Sequence, residues 1–197
     1  MTNKHTPTTD IVLCGMFVAL MAVGAFIKIM IPLGVWQVTF SLQFFFALLA
    51  GFLLGAKRGF AAVGVYLITG LLGVPIFAHG GGLGYLMKPT FGFLIGFAAA
   101  AAVAGFVAER MKVTRFSQYV FAAFCGEMVY YACGLIYYYM MFNFVVGRDI
   151  GIGLRELISV WFLSTVVPDF VLCVMAALAA LRLRSFFNNM FRSRMTA

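Results

Sequence analysis

Two carboxylates interrupt long apolar runs. Asp169 follows Pro168 in ISVWFLSTVVPDFVLCVMAALAAL, and Glu127 stands in FAAFCGEMVYYACGLIYYYM. An acid among apolar side chains loses its hydration and persists only where a partner replaces it. Asp169 is therefore a candidate to meet a ligand, and Pro168 frees a backbone carbonyl beside it. The alternative for Asp169 is a structural pair with a lysine or tyrosine. Glu127 has Tyr130, Tyr131 and Tyr137–Tyr139 as neighbours, so its residues allow either ligand contact or a hydrogen bond to tyrosine.

A second concentration of polar chemistry lies in HGGGLGYLMKPTFGFLIGF, residues 79–97. Gly80, Gly81 and Gly82 offer bare backbone, either as a flexible loop or as a close approach to a ligand. Tyr85 adds a phenol. Lys88 precedes a helix start at Pro89-Thr90, where a cation and free N–H groups both favour a carboxylate. The run is no phosphate cradle, because no Lys-Ser/Thr closes it. Gln37, Thr39 and Gln43 add two amides and a hydroxyl, and Asn143 adds another amide.

Other chemistry has little support. The chain contains neither GxxxxGK, HExxH nor GxSxG. Its two histidines, His5 and His79, do not make a metal site. Cys14, Cys125, Cys133 and Cys173 fall in apolar segments without a CxxC pair and read as buried free thiols. The expectation is no cofactor, no metal and no covalent catalysis.

The elements that position these residues follow from composition. Hydrophobic residues make up 64% of the 197, charged residues 10%, and the mean hydropathy is +1.04. Soluble domains carry about 25% charged residues. The chain is read as an all-α integral membrane protein, a single domain over 1–197. Apolar runs predict six transmembrane helices near 11–31, 41–56, 60–77, 91–108, 117–142 and 158–181. Residues 1–10 form a short leading segment, which does not read as a cleaved signal peptide, and 184–197 a basic tail. No internal repeat is visible.

The net charge of +8 is a matter of orientation rather than of nucleic-acid binding. Ten of the fourteen Lys and Arg fall in the N-terminus, the 56–59 turn, the 109–116 loop and the residues beyond 181. The positive-inside rule then places both termini in the cytoplasm. The polar segments at 36–43, 79–90 and 143 share the outer face, where they suit a small ligand with polar ends. Trp36 and Trp161 fall near outer helix ends. Small residues Gly15, Ala19 and Ala22 share one face of the first helix, and Gly92, Gly96, Ala100 and Ala104 one face of the fourth. Such faces permit close helix approach, within the protein or to a partner.

The segments QVTFSLQ, FFFALLAGFLLGAKRG, YLITGLLGVPIF and GGGLGYLMKPTFGFLIGF resemble the BioY family, the biotin-specific S components of energy-coupling factor (ECF) transporters. IYYYMMFNFVVG and VVPDF…AALAALRLR extend the resemblance over nearly the whole chain. It implies a six-helix subunit of a prokaryotic cell membrane that captures biotin in an outward-side pocket. Its implied partners are a transmembrane coupling protein and two cytoplasmic ATPases, which alone use ATP. Asp169 matches the family's acid in the last helix, Asn143 an asparagine after the fifth, and Tyr85 with the glycines the loop. The chain departs from the pattern at Lys88, at Leu172 where a lysine is common, and at Glu127. Gly15-x-x-x-Ala19 stands where the family docks its partner through A-x-x-x-A. An S component for another vitamin, or a secondary transporter coupled to ions through Asp169 or Glu127, is the alternative.

Overall fold

A computed structural model of the chain describes residues 7–33, 36–146, 153–163 and 165–194. In chain order its elements are α1 (Pro7–Phe26), β1 (Lys28–Leu33), β2 (Trp36–Ser41), α2 (Gln43–Leu54), α3 (Ala56–Leu71), α4 (Phe91–Arg110), α5 (Phe116–Met141), the single turn α6 (Leu154–Leu157) and α7 (Val166–Arg194). The six long helices form a bundle. The spans Phe91–Arg110, Phe116–Val145 and Val166–Leu183 are long and apolar enough to cross a membrane, and α1 and α2 contribute shorter apolar helices. The expected helical membrane architecture is present.

Close packing at glycine builds the centre. A Cβ on Gly51 of α2 would lie 2.3 Å from the Ala101 carbonyl oxygen of α4. On α4, a Cβ on Gly92 would meet Tyr137 and one on Gly96 would meet Tyr130, both on α5. The small-residue face of α4 therefore serves internal packing, and Ala100 and Ala104 are fully buried. The corresponding face of α1 is different: Gly15 and Ala19 are exposed and Ala22 is half-buried.

Several boundaries differ from the sequence reading, and the third predicted helix, 60–77, ends at Leu71. The first predicted helix, 11–31, ends at Phe26, and Lys28–Leu33 pairs antiparallel with Trp36–Ser41. The fold is thus helical with one two-stranded hairpin. The expected turn at 56–59 is the first turn of α3, because Gly55 turns the chain at φ +85. Glu109 on α4 accepts the Ala56 N–H at 3.1 Å and satisfies one open donor of that helix start.

A further correction concerns the last predicted helix, 158–181. A π-helical segment, Ile158–Leu163, precedes α7, which begins at Val166. Pro168 therefore lies in the first turn, where its missing N–H costs no hydrogen bond. Asp169 sits at a helix start rather than halfway along a helix. The helix also runs on through Arg194, into the range read as a separate tail.

At the end of the bundle away from the hairpin, Arg58 Nε pairs with Asp10 Oδ2 at 3.0 Å and ties α3 to α1. The thiols of Cys14, Cys125, Cys133 and Cys173 are free, and Cys173 is buried.

Candidate functional site

The hairpin, the 72–90 connection and the starts of α2, α4 and α7 meet at one end of the bundle. They enclose a cavity of about 120 Å³ lined by Thr39, Phe40, Ser41, Gln43, Phe44, Ala78, His79, Tyr85, Thr90, Phe93, Leu94, Phe97, Tyr130, Thr165 and Asp169. Of the residues singled out from the sequence, it brings together Thr39, Gln43, Tyr85 and Asp169.

One wall is aromatic. Phe97 and Tyr130 stack nearly parallel, 5.3 Å apart, and Phe44 stacks on Tyr130 at 4.7 Å. Phe93 completes the group, 5.3 Å from Tyr130. Phe93 and Phe97 share this face because they are four residues apart on α4.

The wall opposite in chemistry is acidic. Asp169 is 5% exposed, and its Oδ2 accepts a 2.6 Å hydrogen bond from the Tyr131 hydroxyl. The same hydroxyl lies 2.7 Å from Thr165 Oγ1. Among the described residues no cation pairs with Asp169. Its support is Tyr131 together with the positive end of the α7 dipole.

The rim is basic and ties the hairpin to the loop. The Lys28 ammonium donates to the Ala78 carbonyl, and Thr39 Oγ1 lies 3.2 Å from His79 Nε2. Lys88 Nζ reaches the His79 carbonyl at 3.3 Å and lies 4.4 Å from the centre of the Tyr85 ring. Burial, with the nearby charges of Lys28 and Lys88, holds the His79 pKa below its ordinary value. Burial raises that of Tyr85.

Gln43 is 2% exposed and held in a chain of donors. Ser41 Oγ donates to its Oε1 at 3.0 Å, its Nε2 donates to Tyr66 Oη at 2.5 Å, and Tyr66 donates to the Ile76 carbonyl at 2.8 Å. This chain fixes the base of the hairpin against the loop.

Gly80, Gly81, Gly82 and Asn143 lie off the lining. Gly80 and Gly82 adopt φ of +106 and +94, and Gly82 N–H donates to the Gly70 carbonyl at 2.7 Å. A Cβ on Gly81 would come within 2.3 Å of the Val74 carbonyl oxygen. The run is a tightly folded turn rather than a bare wall. The Asn143 side chain donates to the Tyr139 carbonyl at 3.1 Å. Gln37 stands opposite Pro32 in the hairpin register, and its side chain lies outside the described residues, as do those of Trp36 and Trp161.

Glu127 makes no hydrogen bond to tyrosine. It is fully buried, its Oε2 takes the Cys173 thiol at 3.6 Å, and its Oε1 has no partner among the described residues. Sequence reasoning missed Thr165, Lys28 and the phenylalanines of the aromatic wall. Thr165, four residues before Asp169, is the one with a readable signal, since that spacing places both on one face.

A bundle of apolar helices with a small, chemically two-sided cavity at one end defines a multi-pass membrane protein built to enclose a small solute. Its relatives narrow this further. The model of the BioY family matches residues 1–189, and the chain belongs to that family. It is 40% identical to a probable biotin transporter BioY of Lysinibacillus sphaericus, over 94% of this chain and 92% of the relative. It is 41% identical to the biotin transporter BioY of Thermotoga maritima, over 89% and 95%. The crystal structure of an S-component for biotin from an ECF-type ABC transporter superposes with a TM-score of 0.77 at 25% identity, covering 94% of this chain and 95% of that one.

Proposed function

We propose that the chain is the substrate-capture component of an ECF-type biotin importer. It binds biotin in the cavity and hands it to an ATP-driven module of a transmembrane coupling protein and two cytoplasmic ATPases. No bond of the vitamin is made or broken. The observation that carries this reading is the pairing of family membership with a cavity having an aromatic wall, an acidic end and a basic rim.

Biotin has matching parts: an apolar bicycle and tail, a ureido group with two N–H donors, and a carboxylate. An ionised Asp169 accepts donors and repels a carboxylate, so it suits the ureido end. Phe44, Phe93, Phe97 and Tyr130 suit the bicycle. Lys88, with Lys28 near it, suits the carboxylate. The charge pattern of the sequence puts the cavity on the outer side. Gly15 and Ala19 leave a low-relief strip on α1 for the coupling protein.

The test is a titration of the detergent-purified protein with biotin, without ATP or added ions. Binding is expected, and Asp169→Ala should weaken it. Absent biotin binding alongside binding of another vitamin would remove the substrate assignment. Uptake into vesicles lacking any ATPase partner would instead favour a secondary transporter.

A further inference from the structure

The Tyr131–Asp169 contact has a second rung beneath it. Four residues earlier on α5 stands Glu127, and four residues later on α7 stands Cys173, joined at 3.6 Å. The two helices run antiparallel, so the rungs stack one helical turn apart. Two acids thus occupy successive turns of one helix contact, with no cation beside either among the described residues.

Their surroundings differ. Asp169 lies in the first turn of α7, accepts the Tyr131 hydroxyl and borders the cavity. The helix start and the hydrogen bond favour the ionised form. Glu127 lies mid-helix on α5, is fully buried, and has one oxygen on a thiol and the other on none of the described residues. The titratable groups that face it are Cys173 and Asp169 on α7 and Tyr130 on its own helix. From α2 and α4, the atoms nearest a Cβ on the adjoining Gly126 would be those of Leu48, Ala104 and the Ala100 carbonyl. A charge there is shut off from bulk solvent and has no counter-ion among the described residues.

We propose that Glu127 is the proton-holding acid of the pocket. It stays protonated while Asp169 carries the charge, so the stacked pair presents one negative charge, not two, beneath the ligand. The consequence for Asp169 rests on the reading that this residue meets the ligand. Keeping the second charge off leaves the pocket open to an anionic vitamin.

Infrared spectroscopy of the ligand-free protein at neutral pH tests the protonation without any ligand. The carbonyl stretch of a protonated carboxylic acid is expected in the wild type and in Asp169→Asn, and is lost in Glu127→Gln. Its absence from the wild type, or its loss in Asp169→Asn with retention in Glu127→Gln, overturns the proposal. Biotin affinity against pH supplies the second arm. If Glu127 is neutral, Glu127→Gln leaves the acid limb of the profile where the wild type has it. A limb displaced to lower pH by about one unit or more means that the wild-type Glu127 was charged. Failure to bind biotin at any pH would sink the functional reading and leave the infrared result to decide this one.

Discussion

Tyr131 on α5 donates a 2.6 Å hydrogen bond to Asp169 at the start of α7 and fixes the one acid among the described residues that borders the cavity. Losing this bond leaves Asp169 in place but less well held. Tyr131→Phe should weaken biotin binding on the order of tenfold, the usual worth of a hydrogen bond to a charged group. Asp169→Ala should weaken it more, because it removes the acceptor itself. Titration of the two purified variants checks the order. Equal affinity of Tyr131→Phe and wild type would mean that the bond does not position the acid for binding.

The glycine run separates geometry from contact. A Cβ on Gly81 meets the backbone oxygens of Val74 at 2.3 Å and Gly70 at 2.9 Å, while one on Gly84 meets nothing within 4 Å. Gly81→Ala should cost about 1–3 kcal/mol of stability, and Gly84→Ala less than about 0.5 kcal/mol. Thermal unfolding in detergent reads both. A Gly81→Ala variant as stable as the wild type would return the run to the status of an open loop.

The six helices were legible because each is an apolar run bounded by polar residues or glycine. The hairpin was not. KIMIPL continues the apolar run of α1 without a break, and a short apolar strand is not separable from a helix end by composition. The start of α7 was missed for a related reason: Pro168 is compatible with either a helix interior, where it frees a carbonyl, or a first turn, and the apolar run on both sides favoured the interior. In the site, Thr39, Gln43, Tyr85 and Asp169 stood out as polar residues in an apolar chain. The aromatic wall could not stand out, since Phe occurs 23 times and packing alone selects Phe44, Phe93 and Phe97. The turn glycines and Asn143 stood out by type, but they are not among the residues lining the cavity, and Gly80, Gly82 and Asn143 donate hydrogen bonds to backbone carbonyls.

Lys88 offers a discriminating substitution. Its ammonium is exposed, over the Tyr85 ring and near the His79 carbonyl. If it draws the ligand carboxylate, Lys88→Met should weaken biotin by about threefold, the scale of an exposed ion pair. A biotin amide lacking the carboxylate should bind both proteins alike. Equal losses for the two ligands would take Lys88 out of the carboxylate role.

His79 gives a pH dependence with a definite sign. Its folded pKa lies below the ordinary 6.5, through burial first and then through Lys28 and Lys88. As pH falls through 6.5 the unfolded chain takes up this proton first, and the folded protein resists it. The contribution to stability is therefore full above that value and is lost between it and the lower folded pKa. The measurement is simple because His5 is the only other histidine. Nuclear magnetic resonance of the histidine-labelled protein should give two titrating imidazoles, with His79, assigned by its loss in His79→Gln, moving at the lower pH. Lys28→Met should raise the His79 midpoint only in part, since burial is the larger cause. A His79 that titrates with His5 or above it would mean that its neutral contact with Thr39 is not kept in the folded protein.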